Sequence, residues 1–242
     1  MKPNSNKCVH CLQRFEKRTW DHIFPRSWYP DTTPPNIEKL KIPSCTKCNA
    51  EYGKLEEDLL WRLGLSIDPT EQASLGVSDK VLRSVKPEFA KSPKDAAARK
   101  HKLERIMKEL MVVSKLPDVG ILPNFGLIPG LKYPMLVQIP IEHPAIEKLG
   151  QKIVRGFTYI STGQFIDHTY SINIYFLEDE KGRDFVSLVQ THGATHKAGP
   201  GIKVSYAFTD EGGAASLWYI KIWGRLKLYG AVVPIQQSHG NA

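Results

Sequence analysis

The chain lacks a hydrophobic run long enough to cross a membrane. No stretch comes near the roughly 18 consecutive apolar residues that a transmembrane helix requires. The first residues, MKPNSNKC, also lack the apolar centre of a secretion signal. Internal repeats and low-complexity tracts are missing as well. These absences argue against a transmembrane or secreted protein, and we expect a cytoplasmic protein in a reducing compartment.

Cysteine is scarce and confined to one end of the chain. Only 4 of the 242 residues are cysteines, and none follows residue 48. They form two C-x-x-C pairs, Cys8 with Cys11 and Cys45 with Cys48. Each short turn aims two thiolates at one point, and two such turns complete a closed tetrahedral site that suits a structural zinc ion. The alternative is two disulfides or four free thiols, and a reducing compartment disfavours the disulfides.

The overall charge is basic. The net charge is +8 and the isoelectric point is about 9.2, with 41% hydrophobic residues. Residues 61–115 hold 12 basic and 7 acidic side chains, so most of the excess lies in the middle of the chain. A basic excess favours a polyanionic partner, with nucleic acid first. By itself the signal is weak, because many soluble proteins are mildly basic.

The sequence pattern predicts an α+β protein built from three segments. The first, residues 1–64, is predicted to form strand, loop, strand and helix, and the helix covers residues 48–63 before Gly64. The second, residues 65–115, is a basic helical linker in which Ser92 caps a helix that runs to about Val113.

The third segment, residues 116–242, is an antiparallel α+β domain of unknown role. It opens with a Pro- and Gly-rich connector, residues 116–140, and continues with a helix over residues 144–159 that Gly163 ends. The strand candidates that follow are residues 170–177, 184–190, 203–209, 216–222 and 225–235.

A second motif lies among the cysteines. The dipeptide Asp21-His22 lies between the two pairs, Pro25 follows it, and Asn49 comes directly after the last cysteine. This ordered set resembles the HNH, or ββα-metal, endonuclease family, and most closely its four-cysteine branch. The resemblance covers about the first quarter of the chain. It implies a zinc-anchored ββα-metal domain that hydrolyses phosphodiester bonds in nucleic acid, most readily DNA. The later segment AIEKLGQKIVRGFTYISTG is similar to one that follows such domains in some bacterial and phage proteins.

The resemblance also implies roles for individual residues. Asp21 and Asn49 would hold a catalytic Mg²⁺ or Mn²⁺ through oxygen atoms, and His22 would act as general base. Glu56 is a further candidate ligand because it lies two helical turns beyond Asn49, although it could also be a solvated helix residue. Neighbours in a regular strand point to opposite faces, so the strand must end or bulge if Asp21 and His22 serve one metal site.

Four basic residues are candidates for binding nucleic acid. Arg26 and Lys54 flank the proposed site and could hold a phosphate. Arg99 and Lys102 lie on the basic side of the predicted helix after Ser92. That side could follow a phosphate backbone, or it could be an ordinary solvated face whose charges nearby glutamates balance.

Two positions leave other functions open. Leu40 stands where many HNH proteins carry an Asn, and Tyr52 stands where the four-cysteine branch carries an acid. A catalytically inactive, zinc-stabilised nucleic-acid-binding module is therefore the main alternative, and a structural protein with an incidental Asp-His pair is a third. His10, inside the first pair, is predicted to be exposed because four cysteines already fill a tetrahedron. The sequence leaves the oligomeric state open, a dimer included.

Overall fold

The computed structural model describes residues 6–113, 136–177, 179–209 and 213–235. The helices are α1 Thr46–Gly64, α2 Val77–Val85, α3 Pro93–Glu109, α4 His143–Thr162 and α5 Asp179–His192. The strands are β1 Thr19–His22, β2 Lys41–Ser44, β3 Met111–Val113, β4 Leu136–Gln138, β5 Tyr170–Tyr175, β6 Ala194–Lys197, β7 Ile202–Phe208, β8 Ser216–Ile222 and β9 Leu226–Pro234. The predicted α+β class is confirmed. Most of the predicted connector at 116–140 lies outside the described residues.

A small hairpin opens the fold. β1 and β2 pair antiparallel, with Asp21 opposite Ile42 and His22 opposite Lys41. β2 leads directly into α1, because Cys45 is the N-cap and its sulfur accepts a hydrogen bond from the Cys48 N–H at 3.4 Å. The second cysteine pair is therefore built into the first turn of α1, in the strand–strand–helix order that the sequence predicted.

The other large unit is a five-stranded antiparallel sheet in the order β5-β9-β8-β7-β6. The predicted strand at 184–190 was wrong, since these residues belong to α5. Val189 is fully buried and Phe185 partly buried four residues earlier, whereas the neighbouring Leu188 is exposed. A strand would place Ser187 on the same face as Phe185 and Val189, but Ser187 is exposed, so this burial pattern belongs to a helix face. The helix predicted to run to Val113 also ends earlier, because β3 begins at Met111 and pairs with β4.

Helix α4 lies between the hairpin and the sheet. A Cβ atom on Gly156 would lie 2.9 Å from Ile23 Cγ1 of the hairpin, and one on Gly150 would lie 2.8 Å from Ile174 Cδ1 of the sheet. The two glycines thus let α4 approach both neighbours closely. One hydrophobic core extends from Val9 to Val232 and crosses both predicted segment boundaries. Within the described ranges, no helix combines the length and apolar content that a membrane span needs.

Candidate metal centre and the buried ion-pair cluster

The four cysteines meet at one point. Their sulfur atoms all lie within 4.8 Å of one another, and none forms a disulfide. Cys11 Sγ and Cys45 Sγ are 3.9 Å apart. Two sulfurs bound to one tetrahedral zinc ion at about 2.3 Å are separated by about 3.8 Å. The cluster therefore fits a metal ion such as zinc.

The surroundings of the cluster already favour one thiolate. Burial acts to raise the pKa of Cys8, but hydrogen bonds from the backbone of Cys11, Cys45 and His10 outweigh it and lower the pKa to about 7. Burial raises the pKa of Cys48, so that sulfur keeps its proton in the absence of a cation. A metal ion would supply the positive charge that the remaining thiolates need.

Asp21 points into the protein and both of its carboxylate oxygens are engaged. Oδ1 accepts a hydrogen bond from Lys152 Nζ at 3.0 Å, and Oδ2 lies 2.9 Å from His10 Nε2. Asp21 is only 5% exposed. The two partners come from distant parts of the chain, since His10 belongs to the first cysteine turn and Lys152 to α4.

The prediction that His10 is exposed was wrong. The first cysteine turn docks on β2 through a hydrogen bond from the Val9 N–H to the Pro43 carbonyl at 3.1 Å. His10 is thereby buried and its ring packs on Tyr52, with 4.4 Å between ring centroids. Burial lowers the pKa of His10, so the neutral ring donates its Nε2 proton to Asp21. Its Nδ1 is buried and has no hydrogen-bond partner within the described residues.

Lys152 is the most buried charged residue of this cluster, at 0% exposure. Its ammonium donates to Asp21 Oδ1, to the His22 carbonyl at 2.7 Å and to Glu56 Oε1. A lysine ammonium has three protons and no acceptor, so these three bonds satisfy it completely. The ring of Tyr52 lies 5.4 Å from Nζ and adds a cation–π contact.

Glu56 is buried at 7% exposure and is not the solvated helix residue that the sequence left open. Burial raises its pKa to about 7, although the Lys152 ammonium opposes that rise. Tyr52, one turn earlier on α1, occupies the position at which the resemblance would place an acid. Its ring packs against both His10 and Lys152. An aromatic ring thus stands where the resemblance would place a carboxylate in this part of the cluster.

His22 lies on the other side of the hairpin. β1 keeps a regular register up to His22 without a bulge, so Asp21 faces inward and the His22 side chain faces outward. His22 is half-buried. Burial lowers its pKa, and the positive charges of Lys41 and Arg26 lower it further. The imidazole is therefore neutral near pH 7.

The structure places the remaining predicted residues around this core. Asn49 is half-buried in the first turn of α1. Among the described residues, no hydrogen bond connects the side chains of Asp21, His22 and Asn49. Arg26 and Lys54 are exposed. The structure therefore brings Asp21 and Glu56 together through Lys152, and it keeps His22 apart from them.

The two basic residues predicted on α3 form intramolecular ion pairs. Arg99 Nε lies 3.0 Å from Asp95 Oδ1, and Lys102 Nζ lies 2.7 Å from Glu57 Oε1. These pairs favour the interpretation of this side of α3 as a charge-balanced surface. The balancing acids are Asp95 in the first turn of α3 and Glu57 on α1, so the surface also ties α3 to α1.

Comparison with known proteins finds no family model, no curated protein and no solved structure that matches this chain. The site residues that sequence reasoning missed are His10 and Lys152. Lys152 had a detectable signal, because it interrupts the apolar stripe of α4 three residues after Leu149 and four before Gly156. A lysine on a buried helix face needs a carboxylate partner. His10 had no such sequence signal, because its burial follows from the docking of the first cysteine turn on β2.

Proposed function

We propose that this protein is an endonuclease of the HNH class that hydrolyses phosphodiester bonds in DNA. The observation that carries the proposal is the continuity of β1, β2 and α1. The strand that ends in Asp21-His22 pairs with a strand that runs directly into the second cysteine pair and the helix bearing Asn49. The second cysteine pair, the imidazole and the amide thus belong to one strand–strand–helix unit, and the first cysteine pair completes the four-sulfur cluster from the turn that precedes β1.

The outer face of the hairpin supports His22 as the general base. Lys41 pairs with His22 in the hairpin register, and Arg26 follows in the short helical turn after β1. Both cations are exposed and close enough to lower the pKa of His22. A phosphate held by Lys41 and Arg26 would lie beside a neutral imidazole that can take a proton from an attacking water molecule.

The four cysteines are proposed to bind one structural zinc ion. Four thiolates leave no open coordination position for a substrate, so the ion stabilises the fold and takes no part in the reaction. A segment of about 50 residues has little core of its own, and a metal cross-link compensates for that.

The divalent cation that the resemblance implies does not fit the inner carboxylates as the chain holds them. Asp21 uses both oxygens for Lys152 and His10, and Glu56 holds the same ammonium. Mg²⁺ or Mn²⁺ at Asp21, Asn49 and Glu56 is therefore not used in the mechanism above, which relies only on groups of the chain.

The same observation favours a second candidate function. If the carboxylates never hold a divalent cation, the unit could bind nucleic acid through Arg26, Lys41 and Lys54 without cutting it. The two functions share the phosphate-binding face and differ only in the chemistry at His22.

A cleavage panel separates the two candidates. Zinc-loaded protein is incubated with supercoiled plasmid, branched DNA and RNA in Mg²⁺, in Mn²⁺ and in a chelator too weak to remove the zinc. We expect cleavage of DNA by the wild type and by His101→Ala, an exposed control on α3, and its loss in His22→Ala with zinc content unchanged. Cleavage by His22→Ala would reject the assignment of the base. Binding without cleavage by the wild type would support the second function.

A further inference from the structure

We propose that Lys152 is the permanent cation of the Asp21–Glu56 pair and excludes divalent metal from it. The resemblance to HNH nucleases places a metal ion at this position, whereas this chain supplies an ammonium from α4. The proposal concerns what the buried carboxylates bind. It rests on the proposed function only in comparing them with the metal site that the resemblance implies.

Three of the four oxygens of the two carboxylates are already engaged by cationic or hydrogen-bonding partners. Nζ of Lys152 bonds to one oxygen of each, and His10 occupies the second oxygen of Asp21. A divalent ion would have to displace both partners. The displaced ammonium would then be a buried charge beside the incoming cation, because Lys152 is 0% exposed and donates its third proton to the His22 carbonyl.

The charges also match without a metal ion. One ammonium faces two carboxylates, and burial raises the pKa of Glu56 to about 7, so the two carboxyl groups together carry less than two full negative charges near pH 7. A divalent ion added to this group would leave an excess of positive charge among buried side chains.

In this arrangement the C-terminal part of the chain supplies the cation that the β1–β2 hairpin needs for its buried carboxylate. Lys152 bonds to the side chain of Asp21 and to the backbone of His22, two consecutive residues of β1. Gly156, one turn further along α4, lets the helix come close enough for these bonds. Residues 1–64 alone would lack the ammonium that pairs with Asp21 and Glu56.

The test measures Mn²⁺ binding to the full-length, zinc-loaded protein by electron paramagnetic resonance of free Mn²⁺ at pH 7.5. We expect no Mn²⁺ at the carboxylates of the wild type. Lys152→Ala is expected to gain one Mn²⁺ per chain and to rise in melting temperature when Mn²⁺ is added, and Lys152→Ala combined with Glu56→Gln is expected to lose both effects. Lys148→Ala is the matched control, since Lys148 is exposed one turn earlier on α4 and also lies over the Tyr52 ring, at 5.5 Å.

The wild type and Glu56→Gln together can overturn the proposal, which matters if Lys152→Ala fails to fold. One Mn²⁺ per wild-type chain that disappears in Glu56→Gln would show that a metal ion displaces Lys152. A Lys152→Ala chain that folds and gains no Mn²⁺ would also refute it. The readout is independent of cleavage, so it can fail while the nuclease assignment holds, and the reverse.

Discussion

The packing of α4 on the hairpin gives a prediction at Gly156. A Cβ atom there would lie 2.9 Å from Cγ1 and 3.1 Å from Cδ1 of Ile23, and 3.3 Å from Cδ1 of Ile42. Both isoleucines are fully buried, so they have little room to move away. Overpacking of this kind costs about 1–3 kcal/mol. Replacing a glycine inside a helix by alanine gains about 1 kcal/mol. We therefore expect Gly156→Ala to destabilise the protein by about 0–2 kcal/mol, the difference of these two effects.

Gly53 provides the matched control for this change. It lies inside α1, where an added methyl group would meet no neighbouring atom within 4 Å, so Gly53→Ala receives the helix gain without the clash. Urea unfolding of the zinc-loaded proteins should rank Gly53→Ala above the wild type and the wild type at or above Gly156→Ala. The free energies of unfolding of the two variants should differ by about 1–3 kcal/mol. Equal stability of the two variants would refute the close contact between α4 and the hairpin, on which the position of Lys152 also depends.

Three further predictions test other parts of the structure. The purified chain should contain one zinc ion measured by elemental analysis, and Cys45→Ser should lose it and unfold at lower temperature; an unchanged melting temperature would count against a structural ion. Lys41→Gln should weaken DNA binding and reduce the slope of log affinity against log salt by about 1. Lys102→Gln should change that slope less, because the Lys102 ammonium is already paired with Glu57. Equal changes of the slope in the two variants would contradict this. Ser92→Ala should lower the free energy of unfolding, measured by thermal unfolding, by about 1 kcal/mol because the N-cap hydrogen bond of α3 is lost. An unchanged free energy of unfolding would contradict a stabilising role for this cap.

The local features of the fold could be predicted because neighbouring residues determine them. The cysteine turns, the hairpin and α1 follow from spacing and residue type over short stretches. Ser92 caps α3 with a hydrogen bond from the Asp95 N–H, and Gly163 ends α4 with a φ of 74°, a conformation that glycine adopts easily. The strand prediction at 184–190 failed because the apolar residues there fit both a strand spacing of two and a helix spacing of four. The helix is selected by tertiary structure, namely the close approach of Gly182 to Tyr229 and the burial of Val189.

The buried cluster could not be predicted because it depends on contacts distant in sequence. Lys152 lies 131 positions from Asp21 and 96 from Glu56. The apolar stripe of α4 shows that Lys152 is buried, but it does not identify the partner. The docking of α4 between the hairpin and the sheet identifies it, and that docking depends on the shapes of Gly150, Gly156 and the residues they meet.

The Asp-His motif therefore separates into two environments that a sequence motif cannot distinguish. The two-residue period of β1 turns the carboxylate toward His10 and Lys152 and the imidazole toward Lys41 and solvent. Removing the carboxylate would leave a buried ammonium short of an acceptor, so an Asp21 variant is expected to lose stability before any effect on chemistry can be measured. His22 carries no comparable buried bond through its side chain within the described residues. Loss of activity at Asp21 alone would consequently not identify a catalytic residue, whereas loss at His22 with zinc and stability retained would.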